Sequence, residues 1–252
     1  MTTEQRGRVR AEPGAKRVRA FLGGEVVADT TTPLLVWEVP YYPTYYVPAA
    51  DVRAGLEPTG DVDHSPSRGD GEVMTVRTRS REAPGAAVLY KDSPLAEIHD
   101  HVRLDWAAMD AWFEEDEQVY THVRSPYTRV DILPTSREVV VSLQGVELAR
   151  TTRAHALFET GLPPRWYVPA TDVRMDLLAR SETVSHCPYK GETVHYSARP
   201  VTEGGEGVED VAWVYPTPLP ESERIAGLIS FYDGRVTVTV DGVVQGSGEP
   251  HT

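Results

Sequence analysis

Short runs of alternating apolar and polar residues, each closed by glycine or proline, recur along the whole chain. "VRAFLGGEVVA" (18–28) reads as an apolar stretch, a glycine turn and a second apolar stretch, and "VVVSLQGVELA" (139–149) repeats the pattern, so both predict a β-hairpin. "LLVWE" (34–38) and "ALFET" (156–160) are short, partly aromatic runs of strand character. "RVTVTVDGVVQGS" (235–247) alternates across an Asp-Gly turn and predicts a closing hairpin. Two segments read as short helices: "SPLAEIHDHV" (93–102), with Ser93 as the expected cap, and "PESERIAGLI" (220–229). Asp51 and Asp172 are expected to cap single helical turns through their carboxylates.

The patterns come in pairs because the chain repeats itself. A shift of 121 positions lays "VPAADVRAGL" (47–56) on "VPATDVRMDL" (168–177), and about sixteen of the forty positions between 17–56 and 138–177 agree. The match includes Glu38 with Glu159 and Tyr46 with Tyr167. Beyond it the shift becomes 122 and pairs His64 with His186, Pro66 with Pro188 and Gly69 with Gly191. The expected architecture is therefore mainly β: two tandem, homologous small β-sheet units, each with one short helix. The expected boundaries are a flexible tail at 1–16, a first unit at 17–122, a packed connector at 123–136, a second unit at 137–247 and a tail at 248–252. The connector holds Pro126, Tyr127, Val130, Ile132 and Leu133, so the two units are expected to contact one another.

Composition narrows the function classes. At 252 residues the chain has room for two cores. The net charge of −13 opposes a polyphosphate partner, so no nucleic acid is expected. No run of some 18 apolar residues exists to span a bilayer, and the arginine-rich first residues hold no apolar stretch of the kind a secretory signal needs. A cytoplasmic protein without a membrane partner is expected. The single cysteine excludes an internal disulfide and a four-cysteine zinc site, so neither metal nor cofactor is expected. Glu114, Glu115, Asp116 and Glu117 lack the turn glycines of a cation loop and read as a solvated edge.

One stretch concentrates chemistry. "HCPYKGETVHY" (186–196) joins the lone cysteine to two histidines, a lysine and two tyrosines, whereas "HSPSRGDGEVM" (64–74) keeps only the frame. Proline and glycine specify the same tight loop in both copies, so loop shape is common to the two units while Cys187, Tyr189, Lys190 and Tyr196 belong to one. Three readings stand side by side. In a binding pocket, the loop offers backbone donors, Lys190 a charge for an anionic or nucleotide-like small molecule, and Trp166, Tyr167, Tyr189, Trp213 and Tyr215 the walls, with His186, Cys187 and Tyr196 beside them. In an enzyme, Cys187 is the nucleophile and His186 or His195 the base. In a structural or interaction protein the motif only fixes a turn; homo-oligomerisation is open in every case.

Several motifs in order, "GGEVVAD", "YYVPAADVR", "HCPYKGETVHY", "AWVYPTPLPE" and "IAGLISFYDGRV", closely resemble the bacterial family known as domain of unknown function 427, in its tandem two-unit form. The resemblance implies small antiparallel β units of Mss4-like or β-tent architecture. Relatives of that architecture carry zinc on paired Cys-x-x-Cys motifs, and this chain has none, so no metal is carried over. The nucleotidyltransferase-like label attached to the family finds no paired aspartates beside a Gly-Ser turn here. The family's His-Cys-Pro-Tyr-Lys-Gly signature maps onto His186, Cys187, Pro188, Tyr189, Lys190 and Gly191, while the first unit departs from it at Ser65, Ser67 and Arg68.

Overall fold

A computed structural model describes residues 9–202 and 204–246. The chain divides between Ser125 and Pro126 into two compact units. In the first, β1 (Arg10–Pro13), β2 (Val18–Leu22), β3 (Glu25–Thr30), β4 (Leu34–Trp37), β5 (Thr44–Pro48), β6 (Gly55–Ser65), β7 (Gly69–Arg77), β8 (Glu82–Leu89), β9 (His101–Leu104), β10 (Ala111–Glu114) and β11 (Glu117–Val119) build two antiparallel sheets. Their orders are β1-β4-β5-β9-β8-β7-β6 and β11-β10-β2-β3.

The second unit repeats this plan with β12 (Val130–Pro134), β13 (Val139–Leu143), β14 (Val146–Thr151), β15 (His155–Glu159), β16 (Arg165–Tyr167), β17 (Leu178–Cys187), β18 (Gly191–Ala198), β19 (Val208–Val214), β20 (Ile229–Phe231), β21 (Thr237–Val240) and β22 (Val243–Val244). Sheets β12-β15-β16 and β17-β18-β19-β20 meet where Val168 and Ile229 exchange two backbone hydrogen bonds of 2.8 Å. The order through that bridge, β12-β15-β16-β20-β19-β18-β17, is that of the large sheet of the first unit, and β14-β13-β21-β22 matches the small one. Even the irregularities coincide: β7 and β8 slip register between Met74 and Val76, and β18 and β19 between Tyr196 and Ala198. The duplication read from the sequence is thus a duplication of topology.

The predicted hairpins form. Gly23 and Gly24 turn β2 into β3, Gln144 and Gly145 turn β13 into β14, and Asp241 and Gly242 turn β21 into β22, all with positive φ, as two-residue turns between twisted strands require. Other expectations need correction. Residues 10–13, assigned to a flexible tail, are strand β1 paired with β4, and residues 130–134, assigned to the connector, are strand β12 paired with β15. They are one element in two copies, too short and too polar to show alternation. The predicted helices are short tight 3₁₀ turns, one turn at Ala96–Ile98 and two at Pro220–Ile225, the latter stopped by Gly227 at φ 70°. Asp51 and Asp172 end similar turns without capping them. The Asp172 carboxylate instead accepts bonds from Arg153 and from the Thr151 hydroxyl at 2.7 Å, which hold it well below the usual carboxylate range.

Each unit has two apolar clusters, because strand alternation sends successive residues to opposite faces of the large sheet. The main cluster includes Val18, Leu22, Val76 and Val102 in the first unit, and Val139, Leu148, Val211 and Val240 in the second. The other face carries a smaller one: Val36, Tyr46, Val88, Tyr90 and Ile98 in the first unit, Leu157, Tyr167, Trp213, Tyr215 and Ile225 in the second. Ile98 and Ile225, from the two tight turns, are fully buried in it. Those turns are what cover the second face.

Candidate functional site

The loop at 187–191 joins β17 to β18 with Cys187 opposite Gly191, and 65–69 joins β6 to β7 in the same register. Gly191 and Gly69 take φ 101° and 78°, which L side chains rarely adopt. The hook is packed down: Leu219 N donates to the Lys190 carbonyl at 3.0 Å and the Ser222 hydroxyl to the Tyr189 carbonyl at 3.2 Å. Its backbone acceptors thus hold the segment leading into the covering turn.

Lys190 does not present a free charge. It is 9% exposed, and its ammonium lies 2.5 Å from Glu159 Oε2 at the end of β15. Burial opposes the charge, but Cys187, Glu159 and Tyr167 outweigh it and raise the lysine pKa. The first unit holds the same staple in other residues, Arg68 on Glu38 at 2.7 Å, with Arg103 as a second cation at 2.9 Å and the Tyr46 hydroxyl donating to Glu38 at 2.9 Å. A carboxylate closing on the hook's basic residue is therefore common to both copies. Repetition of Glu38 and Glu159 at the 121 shift, with a basic residue kept at 68 and 190, was the sequence signal for it.

The remaining predicted residues divide between the two faces. Tyr167, Trp213 and Tyr215 share the second-face cluster, with Cys187 half-buried against it. Burial, only partly offset by Lys190, pushes the Tyr167 phenol up to about 12. Tyr189 stands at the loop tip, half-buried. Trp166 and Tyr196 point the other way and pack in the main cluster, so they do not line this site. His186 is also separated from Cys187 by strand alternation, and its Nε2 lies 3.1 Å from Glu192. The geometry does not pair these two as base and nucleophile.

His195, read from the sequence as a candidate base, belongs to a strip of hydrogen-bonding groups on the Cys187 face whose other members the sequence did not single out. Thr193 and His195 alternate along β18, and Ser185 stands opposite Thr193 on β17. The Thr193 hydroxyl donates to the Ser185 carbonyl at 3.0 Å and accepts from the Ser185 amide at 3.1 Å. His195 Nε2 lies 2.9 Å from the Thr193 hydroxyl and 3.0 Å from that of Ser185, which are 2.7 Å apart. His195 is 3% exposed, and its Nδ1 is buried with no hydrogen-bond partner among the described residues. Burial, and then Arg235, lower its pKa against the opposing pull of Asp210, so the ring is neutral at neutral pH. Tyr232 stacks on the imidazole at 6.0 Å and lies against Trp213 at 4.3 Å with the rings tilted by 46°, while Arg165, 2.7 Å from Asp233, stands over the Trp213 ring at 5.9 Å. At the far end, Asp210 takes the hydroxyls of Ser181 at 2.6 Å and Thr183 at 2.8 Å while sitting at φ 47°.

Pairing registers give the counterparts in the first unit: Asp63 for Ser185, Gly71 for Thr193, Val73 for His195, Val88 for Trp213 and Gly85 for Asp210. There a Cβ on Gly71 would stand 2.4 Å from Val88 and 2.7 Å from Tyr90, so the aromatic ring lies directly on the glycine. The acidic run of the first unit also differs from expectation. Glu114 is 3% exposed, not solvated, and accepts from Lys16, from Arg124 at 3.0 Å and from the Tyr45 hydroxyl at 2.9 Å. An open depression of about 460 Å³ lies there, lined by Lys16, Glu114, Glu115, Asp116, Glu117 and Arg124. Among the described residues no three His, Cys, Asp or Glu side chains gather as a metal-binding group, and no helix is long and apolar enough to cross a membrane.

No curated protein matches the chain at a significant level. The profile of one family, described as a domain of unknown function (DUF427), matches twice, over residues 10–115 and 131–242. Both matches begin within strand β1 or β12 and end in the turn before the last strand, β11 or β22, so each covers one copy of the two-sheet plan except that edge strand. The chain belongs to the DUF427 family, as a tandem of two of its domains.

Proposed function

We propose that the protein is a small-molecule-binding protein whose second unit carries the site and whose first unit is a closed, supporting copy. The ligand lies on the second face of the large sheet, between the 186–191 hook and the aromatic side chains Trp213 and Tyr232, with His195 at its centre. One observation carries this reading: His195 holds a buried ring nitrogen without a partner, in a strip of hydroxyl groups that the first unit lacks. Buried polar atoms are nearly always paired, and an unpaired one in a native fold is accounted for by strain or by a bound water, ion or ligand; of the four such atoms among the described residues, on Arg19, His155, Trp166 and His195, that of His195 is the one in the strip. Lys190, neutralised by Glu159, positions the hook and is not the anchor of an anion. Cys187 and His186 have no role as nucleophile and base in this reading. A cytoplasmic setting is part of the same proposal.

The test is a thermal-shift screen of a metabolite library on the full chain and on His195→Val, which places the residue of the first unit at this position. A ligand that binds only the native state stabilises it by about 2.7 kcal/mol at a hundredfold excess over Kd. Hits on the native chain that vanish in the variant support the proposal. A library without hits, or hits indifferent to His195→Val, overturns it.

A further inference from the structure

Resting on that reading, we infer that the ligand presents an N–H donor to His195 Nδ1, as a neutral or cationic amine or amide does, rather than the acceptor oxygens of an anion. The hydrogen-bond inventory around the ring fixes which nitrogen holds the proton. A threonine hydroxyl has one proton and two lone pairs. The Thr193 proton is committed to the Ser185 carbonyl, and one of its lone pairs takes the Ser185 amide. If Nε2 carries the imidazole proton, it donates to the Ser185 hydroxyl, which in turn donates to the second lone pair of Thr193, so that all three groups are bonded and the 2.9 Å approach of Nε2 to Thr193 needs no proton of its own. If Nε2 is bare, the Ser185 proton goes to it and that lone pair of Thr193 is left empty. The first arrangement makes one more bond around the buried ring and is therefore the favoured one.

Nδ1 is then a bare lone pair, an acceptor that only a donor satisfies. The same arrangement removes Ser185 and His195 as a nucleophile and its base, since Nε2 has no lone pair to receive the serine proton. Charge offers an anion no ready anchor: Lys190 is paired with Glu159 and Arg165 with Asp233, and of the two groups acting on His195 one, Asp210, is acidic and the other, Arg235, basic.

Long-range ¹H–¹⁵N correlation spectra of the full chain, with His195 assigned through His195→Val, read the tautomer directly. Benzylamine, benzamide and benzoate then serve as matched probes, two donors and one acceptor on the same ring. Expected are an Nε2–H tautomer and an Nδ1 resonance displaced by benzylamine or benzamide and not by benzoate. An Nδ1–H tautomer overturns the inference whatever the library screen returns. Displacement by benzoate alone also overturns it, and leaves the binding reading standing. An Nε2–H tautomer insensitive to all three probes means an internal water only, which overturns the inference and, with an empty screen, the binding reading too.

Discussion

The two units share a plan and a staple and differ in what they do with the space around it. In the first unit Glu38 sits between Arg68 and Arg103, Tyr90 lies on Gly71, and valines fill positions 73 and 88. In the second, one lysine replaces two arginines, and His195, Thr193 and Trp213 occupy the room. Duplication thus separates two demands that a single copy confounds: the carboxylate–cation pair is what the fold needs, and the strip around His195 is what only one copy carries.

If the staple is structural, breaking it hurts either unit. Removing one partner of a buried pair leaves an uncompensated charge, at about 3–5 kcal/mol. Glu38→Gln is expected to have the largest effect, because it strands two guanidinium groups and a tyrosine hydroxyl, and Lys190→Met follows because it strands only Glu159. Lys190→Arg, which installs the first unit's residue, is expected to keep most of the stability. Urea denaturation of the full chain, with amide hydrogen exchange to assign the loss to a unit, reads all three. Equal damage from Lys190→Arg and Lys190→Met would show that the two staples are not equivalent.

The difference between the faces is tested by moving a residue across it. Gly71→Thr copies Thr193 into the first unit, where the new Cβ meets Val88 and Tyr90. Overpacking of this kind costs about 1–3 kcal/mol. The reverse change, Thr193→Gly, removes bonds from the strip without a clash. The expected order is therefore Gly71→Thr more destabilising than Thr193→Gly, measured as urea midpoints, and the opposite order would mean that the first unit's face is not closed.

How much of this the sequence shows follows from what each feature leaves in the chain. The hairpins are legible because Gly23–Gly24, Gln144–Gly145 and Asp241–Gly242 supply left-handed turns between alternating runs. The duplication is legible because "VPAADVR" and "VPATDVR" survive nearly intact. Strands β1 and β12 are not, since "RAEP" and "VDILP" lack a period and owe their strand form to partners twenty to thirty residues away. The hook was visible as a motif, yet its lysine looked free because Glu159 is 31 residues distant in sequence. Trp166 and Tyr196 looked like pocket walls because composition does not say which face a strand residue takes; the register does, and it sends them to the main core.

Asp210 offers a smaller test. It holds φ 47° where the first unit has Gly85 at 68°, and left-handed backbone costs a non-glycine residue about 1–2 kcal/mol. Asp210→Gly relieves that strain while losing the bonds to Ser181 and Thr183, so its net effect is expected to be small. Asp210→Ala keeps the strain and loses the bonds, and is expected to be the more destabilised variant by about 1 kcal/mol. Equal midpoints for the two would mean that the backbone there is not strained.

The smallest expected effect is also the most specific. Burial lowers the His195 pKa below its unfolded value, so the unfolded chain binds the proton more readily than the folded one. Stability from this group is present above the ordinary histidine value of about 6.5 and is lost as pH falls through the lower folded value. His195→Val puts the first unit's residue in place and removes this proton linkage. Between pH about 7.5 and about 5.5 the native chain should therefore lose more stability than the variant, the difference growing downward from about 6.5. Parallel curves for the two proteins would mean that the imidazole titrates as freely folded as unfolded, and a ring that does so is not sealed beneath Tyr232.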